Sequence, residues 1–171
     1  MTICTHLRAF LFGDVVGEEM RLNELGEIAE WTWRDLPNRV AHVELDAFVI
    51  MPNHLHLIAA AANGNLGEIM RDFKTYTSKE LVKLIGANPR ESRKEWMLRV
   101  FREHGAANPQ NVHYQFWQQS NRPIILDKPE LFDQRRRYLR ENPLRAGLVN
   151  DESAYMWSSA NPHLDFECDA A

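Results

Sequence analysis

The chain has 171 residues, 44% of them hydrophobic, and a formal net charge of −4. That length fits one domain with an ordinary core, no window nears the ~18 consecutive apolar residues of a membrane span, and the opening MTICTHLRAF lacks the basic region and long apolar run of a signal peptide. The acidic balance argues against a generic nucleic-acid coat, and Cys4 and Cys168, at opposite ends and outside any CxxC, give no disulfide framework, which points to a reducing cytoplasm.

In chain order, MTICTHLRAFLF (1–12) reads as a strand, and GDVVGEEMRL (13–22) continues it as a glycine-punctuated hairpin. The first strand starts abruptly, so a preceding segment is expected. Asn23 is placed to cap a helix over 24–36, with Leu25, Ile28, Ala29, Trp33 and Leu36 on one stripe and Pro37 after its end. Residues 40–51 (VAHVELDAFVIM) and 54–61 (HLHLIAAA) read as two strands joined tightly at Pro52-Asn53, followed by an AANGN loop. Leu66, Ile69, Met70, Phe73, Leu81 and Leu84 mark a long amphipathic helix, which Gly86 to Pro89 break. A shorter helix is expected over 91–105, with Trp96, Met97, Val100 and Phe101 on one side, inside an insertion of about 86–112. Residues 113–119 (HYQFWQQ) and 122–126 (RPIIL) read as short strands. Asp127, Glu130 and Pro129 form a capping-box pattern for a helix running to about Asn142, where Pro143 stops it. Residues 150–171 form a tail. Strand pairs alternating with helices, without a clean βαβαβ series, favour an α+β fold with an antiparallel sheet and helices packed on one face.

Three groups of residues carry chemistry. In a strand, i and i+2 point to one face, so His54 and His56 project together while Leu55 and Leu57 face the core. Two neutral imidazoles side by side are half a site for a divalent metal. Alone, the pattern is weak, but burying two imidazoles without a common purpose is costly. The second group is Tyr138 and Asn142, one helical turn apart. The asparagine oxygen is a hard ligand, and a phenol beside a divalent cation deprotonates more readily and serves as a covalent nucleophile. The plainer reading has Tyr138 packing and Asn142 merely ending a helix.

The third group is cationic. Residues 71–102 hold nine basic and four acidic residues, and 128–150 hold six and three. Arg135, Arg136, Arg137 and Arg140 surround Tyr138, and Arg145 follows; guanidinium groups match phosphate geometry. Lys74, Thr75, Tyr76, Thr77, Ser78 and Lys79 form a phosphate-friendly stretch on the long helix. Phe116 and Trp117, among Gln115, Gln118 and Gln119, are candidates for base stacking, although aromatics in a strand more often fill a core. Charge alone favours solvated helix faces.

Taken together, AFVIMPNHLHLI, DFKTYTSKEL, FWQQ, YLRENPLRAGLV and YMWSSA resemble, in order and spacing, the REP-associated tyrosine transposases. These belong to the single-tyrosine HUH (His-hydrophobic-His) superfamily of insertion-sequence 200-like transposases. The resemblance runs over roughly the whole chain and is most specific at PNHLHLI and YLRENPLRAG. It implies a ferredoxin-like domain spanning 1–171 that cuts and rejoins single-stranded DNA near hairpins. His54 and His56 match the metal-binding histidines, Tyr138 matches the nucleophile, and Asn142 matches the position of a further metal ligand. The implied cofactor is Mg²⁺ or Mn²⁺. Lys74, Thr77, Ser78, Lys79, Trp117 and the four arginines are the expected DNA contacts. The REP-associated branch works with its own tyrosine, which implies a monomer rather than a homodimer.

One stretch departs from the pattern. Where many relatives carry an aromatic-Tyr-acid-His run, this chain reads Ser120-Asn121-Arg122-Pro123-Ile124; a similar Asn-x-Pro-Ile form occurs in other branches, so the change bears on DNA specificity rather than on catalysis. The expected reaction is a metal-assisted transesterification through a 5′-phosphotyrosine. The competing readings are a domesticated hairpin-binding protein without catalysis and a hydrolase using activated water.

Overall fold

The computed structural model describes residues 1–164 apart from 18, 41, 63, 109–112 and 122. Its centre is an antiparallel three-stranded sheet in the order β1 (Thr2–Cys4), β5 (His54–Ala61), β4 (Val43–Met51). A separate hairpin joins β2 (Gly13–Val16) to β3 (Glu19–Leu22). Gly13 closes it tightly: a Cβ there would stand 2.1 Å from the Arg21 carbonyl oxygen.

The helices are α1 (Glu24–Arg34), α2 (Leu36–Arg39), α3 (Leu66–Ala87), α4 (Lys94–Ala106), α5 (Pro129–Arg140) and α6 (Asn142–Arg145). Asn23 caps α1 as expected, its side-chain oxygen accepting from the Leu25 and Gly26 amides. Pro37 does not end that helix; it sits in the first turn of α2, where its missing N–H costs nothing. Pro143 does the same for α6, so the path through Arg140 turns at Glu141 and continues helically.

Period-two alternation sorts the strands. Ile3, Leu55, Leu57, Ile50 and Phe48 share one face of the sheet and are almost fully buried. The buried apolar stripes of α1 and α3, which pack on each other through Trp33 and Phe73, supply the layer for that face. Thr2, Cys4, His54 and His56 point the other way, and there α5 crosses β4 and β5 with Leu139 buried beneath it. Helices therefore meet both faces rather than one. α4 packs on α3.

Neither sheet edge is bare. Residues 116–121 run antiparallel along β1: the Thr2 amide donates to the Asn121 carbonyl (2.9 Å), the Gln118 amide to Cys4 (2.8 Å) and the His6 amide to Phe116 (2.7 Å), around a Thr5–Trp117 bridge. This is the fourth-strand position of a β-α-β-β-α-β ferredoxin-like fold, held by an irregular segment instead of the strand read at 113–119. Residues 123–126 form no strand, and Arg122 lies outside the described residues. Along β4, Ser158 bridges Val49 and the Tyr155 hydroxyl donates to the Ile50 carbonyl (2.8 Å).

The strand read over 1–12 breaks after Cys4. Leu7 and Arg8 adopt left-handed backbone conformations (φ 54° and 52°) in a turn over His6–Arg8. The capping box at Asp127 does not form either: Lys128 occupies the cap position of α5, with no side-chain bond to the helix.

Candidate active site

The β4–β5 turn and the register of β1 build one side of the site. Thr2 lies opposite His56, and its Oγ1 is 2.8 Å from His56 Nδ1. Asn53, in the turn, donates through Nδ2 to the Arg8 carbonyl (3.1 Å), which fixes the amide so that its Oδ1 faces His54 Nδ1 at 2.6 Å. A carbonyl oxygen only accepts, so His54 Nδ1 carries the proton and Nε2 keeps its lone pair. Burial, with the nearby Arg8 charge, holds His54 down to about 4. Burial, then His54, the terminal ammonium and Arg8, hold His56 down to about 3. Both rings are neutral at pH 7.

The two Nε2 atoms stand 3.2 Å apart. Two imidazole nitrogens at that spacing both reach a single cation at bonds of ~2.0–2.1 Å. The helix brings a third polar group to the pair: Asn142 Nδ2 is 3.2 Å from His56 Nε2, and a half-turn of the carboxamide would present its oxygen there instead. Among the described residues no third His, Cys, Asp or Glu joins the cluster. The donor set is thus two imidazoles and an amide, with the outer nitrogens held by Thr2 and Asn53, a fit to a divalent ion that keeps open positions.

Tyr138 stands edge-on to the His56 ring, centroids 5.6 Å apart at 82°, and is 39% exposed. The i, i+4 placement therefore brings Tyr138 and Asn142 to the same imidazole across the bend at Glu141. Arg145 lies over the Tyr138 ring at 5.6 Å and pairs with Glu141 at 2.7 Å. Arg140 pairs with Glu152 (2.9 Å), and Arg136 stands 3.6 Å from Asp46, which sits at a bulge in β4. Arg135 and Arg137 have no carboxylate partner among the described residues and line, with Tyr138, a cleft of about 610 Å³.

The other expected DNA contacts lie away from this cluster and divide. Thr77 and Trp117 are buried: the indole donates to Thr77 Oγ1 (3.0 Å), which donates to the Phe73 carbonyl, and the Trp117 ring packs against Phe12, Phe73 and Phe116. Their role in this structure is core packing, which corrects the base-stacking expectation for Trp117 and the phosphate expectation for Thr77. The Lys74 ammonium meets the Gln118 and Gln119 carbonyls and Asn121 Oδ1 (2.6, 3.2 and 2.8 Å), tying α3 to the edge segment, and burial lowers it to about 8. Ser78 and Lys79, with Arg71 and Lys83, line a groove of about 910 Å³ whose described lining holds no carboxylate.

Sequence reasoning missed Thr2, Asn53 and Arg8. Thr2 is visible only through strand register. Asn53 adjoins the histidine motif, but its bridging role needs the turn geometry. Arg8 was hidden by reading 1–12 as one strand.

An antiparallel ferredoxin-like sheet with a strand-borne histidine pair and a helix-borne tyrosine and asparagine is the class these elements define. The fold is similar to that of a REP-associated tyrosine transposase solved bound to a REP hairpin, with a TM-score of 0.59 and 14% identity over 92% of this chain and 72% of that one. An uncharacterized protein of Haemophilus influenzae is 43% identical over 56 residues, 33% of this chain and 31% of its own length. No family model matches the sequence. Among the described residues, no helix is long and apolar enough to cross a membrane.

Proposed function

We propose that this protein is a single-tyrosine HUH endonuclease and strand transferase of the REP-associated transposase kind, acting on single-stranded DNA near hairpins. The observation that carries it is the convergence, within one chain, of His54 Nε2, His56 Nε2, the Asn142 amide and the Tyr138 ring. A half-buried and a buried imidazole, both held neutral and with their Nε2 atoms 3.2 Å apart, form a two-nitrogen seat for a cation. The transposase resolved with a REP hairpin supports DNA as the partner.

His54, His56 and Asn142 would hold Mg²⁺ or Mn²⁺, which would supply Lewis-acid polarisation of the scissile phosphate and screen the charge of an approaching phenolate. Asn53 fixes the tautomer that leaves His54 Nε2 free to coordinate, and Thr2 holds the His56 ring at its outer nitrogen. Tyr138, on α5, attacks phosphorus: its phenolic proton passes to solvent, the Tyr Oη–P bond forms, the P–O3′ bond breaks, and the leaving O3′ takes a proton from solvent, giving a 3′ hydroxyl and a 5′-phosphotyrosine. The phosphodiester count is unchanged, so a second 3′ hydroxyl reverses the step and joins strands without a nucleotide cofactor. Arg135 and Arg137, which have no ion-pair partner among the described residues, and the groove of Arg71, Ser78, Lys79 and Lys83 carry the DNA backbone. With every site residue contributed by one chain, a monomer suffices.

The test is denaturing electrophoresis of the protein with a labelled single-stranded oligonucleotide carrying a hairpin, in Mn²⁺. A label that migrates with the wild-type chain and is absent for Tyr138→Phe is expected. Binding with no adduct from either chain would instead establish the catalytically idle hairpin binder.

A further inference from the structure

Resting on the nuclease reading, we infer that Arg8 is a catalytic residue whose guanidinium binds a non-bridging oxygen of the scissile phosphate, its backbone held beside His54 by the left-handed turn clamped onto Asn53. Leu7 and Arg8 both hold φ near +50°, a conformation that costs a residue with a Cβ roughly 1–2 kcal/mol and persists only where its surroundings enforce it. The enforcement is visible. The Arg8 carbonyl accepts from Asn53 Nδ2 (3.1 Å), the Arg8 amide donates to the Thr5 carbonyl (3.0 Å), the Thr5 amide donates to the Asn53 carbonyl (3.0 Å), and the Leu11 and Phe12 amides both donate to the Pro52 carbonyl (3.0 Å each). The whole segment from Thr5 to Phe12 is thereby stitched onto the turn that precedes His54.

Asn53 is the shared part. One end of its amide holds Arg8, and the other holds His54 Nδ1. The residue that orients a metal-binding ring also fixes the backbone from which the Arg8 side chain springs.

Arg8 is exposed and has no ion-pair partner among the described residues, unlike Arg136, Arg140 and Arg145 across the site. Its carbonyl and the His54 ring are held by the two ends of one carboxamide, so the Arg8 backbone lies within a side chain's reach of the imidazoles. A guanidinium carried on that backbone and a cation held by the imidazole pair repel each other unless an anion joins the two. A phosphodiester bridging the metal and the arginine is that anion, and a guanidinium matches its planar oxygen geometry. In the transition state that guanidinium stabilises the charge on those oxygens.

The experiment measures single-turnover adduct formation by wild type, Arg8→Gln and Arg8→Lys on two oligonucleotides. One carries a natural scissile phosphate, and the other a methylphosphonate, which replaces one charged oxygen by a methyl group. Arg8→Gln is expected to slow the natural substrate roughly a hundredfold, with Arg8→Lys recovering part of the rate and the thermal midpoint unchanged. On the methylphosphonate the gap between wild type and Arg8→Gln shrinks to about threefold or less, since the charge that Arg8 neutralises is gone. An unslowed Arg8→Gln, or an equal defect on both substrates, overturns the assignment and leaves the nuclease reading standing. Absence of any wild-type adduct overturns the nuclease reading and this assignment with it.

Discussion

Replacing Asn53 by alanine removes the oxygen that sits 2.6 Å from His54 Nδ1. That contact is what keeps the proton on Nδ1 and the lone pair on Nε2. Without it the imidazole is free to carry its proton on Nε2, where it blocks coordination, and to swing out of the 3.2 Å arrangement with His56. Loss of such an outer hydrogen bond costs about 10–100-fold in metal affinity, equivalent to about 1.4–2.7 kcal/mol. Calorimetric titration with Mn²⁺ at pH 7.5 measures it, well above the range where either histidine protonates. Asn53→Asp retains an acceptor for Nδ1–H and is expected to bind near the wild-type level. Asn53→Ala binding Mn²⁺ within twofold of wild type would show that the tautomer argument is wrong, and a wild type that binds no Mn²⁺ would remove the metal site altogether.

Acid stability follows from the same pair. Unfolded histidines take up protons near pH 6.5, whereas the folded rings resist until about 4 and 3. The unfolded state therefore binds more protons in that window, and metal-free stability falls as pH drops from ~6.5 towards 4. Thermal midpoints at pH 7.5, 5.5 and 4.5 read the slope, and His54→Gln with His56→Gln flattens it; a slope that persists in the double variant contradicts the assignment. Thr77→Val leaves the buried Trp117 indole N–H without its acceptor and is expected to lose about 1–3 kcal/mol in urea unfolding, with an unchanged midpoint as the contrary result. Gly26→Ala places a Cβ 2.1 Å from the Phe12 carbonyl oxygen, so α1 must move off the chain beneath it, at a cost of roughly 2–3 kcal/mol in the same assay.

Local signals of the sequence were read well wherever local rules decide the structure. The Asn23 cap, the Pro52-Asn53 turn, the period-two split of His54 and His56 from Leu55 and Leu57, and the long α3 all rest on interactions within a few residues. The i, i+4 placement of Tyr138 and Asn142 survived even though Pro143 opens a new turn instead of closing the old one. What failed was decided by distant partners. The turn at His6–Arg8 exists because Asn53 and Pro52, more than forty residues on, supply its hydrogen bonds. Trp117 is drawn into the core by Thr77 and Phe73, and Lys74 is tied down by the carbonyls of an edge segment that propensity alone reads as a strand. The supporting residues Thr2 and Asn53 carry no motif of their own, since only strand register and turn geometry bring them to the imidazoles.

The central claim is that Tyr138 becomes covalently joined to DNA. Mass spectrometry of proteolysed adduct, formed with a single-stranded oligonucleotide and Mn²⁺, tests it most directly. A 5′-phosphonucleotide on the peptide containing Tyr138, with a free 3′ hydroxyl on the released fragment, is the result expected here. Modification of another residue, or cleavage by the wild-type chain with water and no protein-linked product, would contradict it.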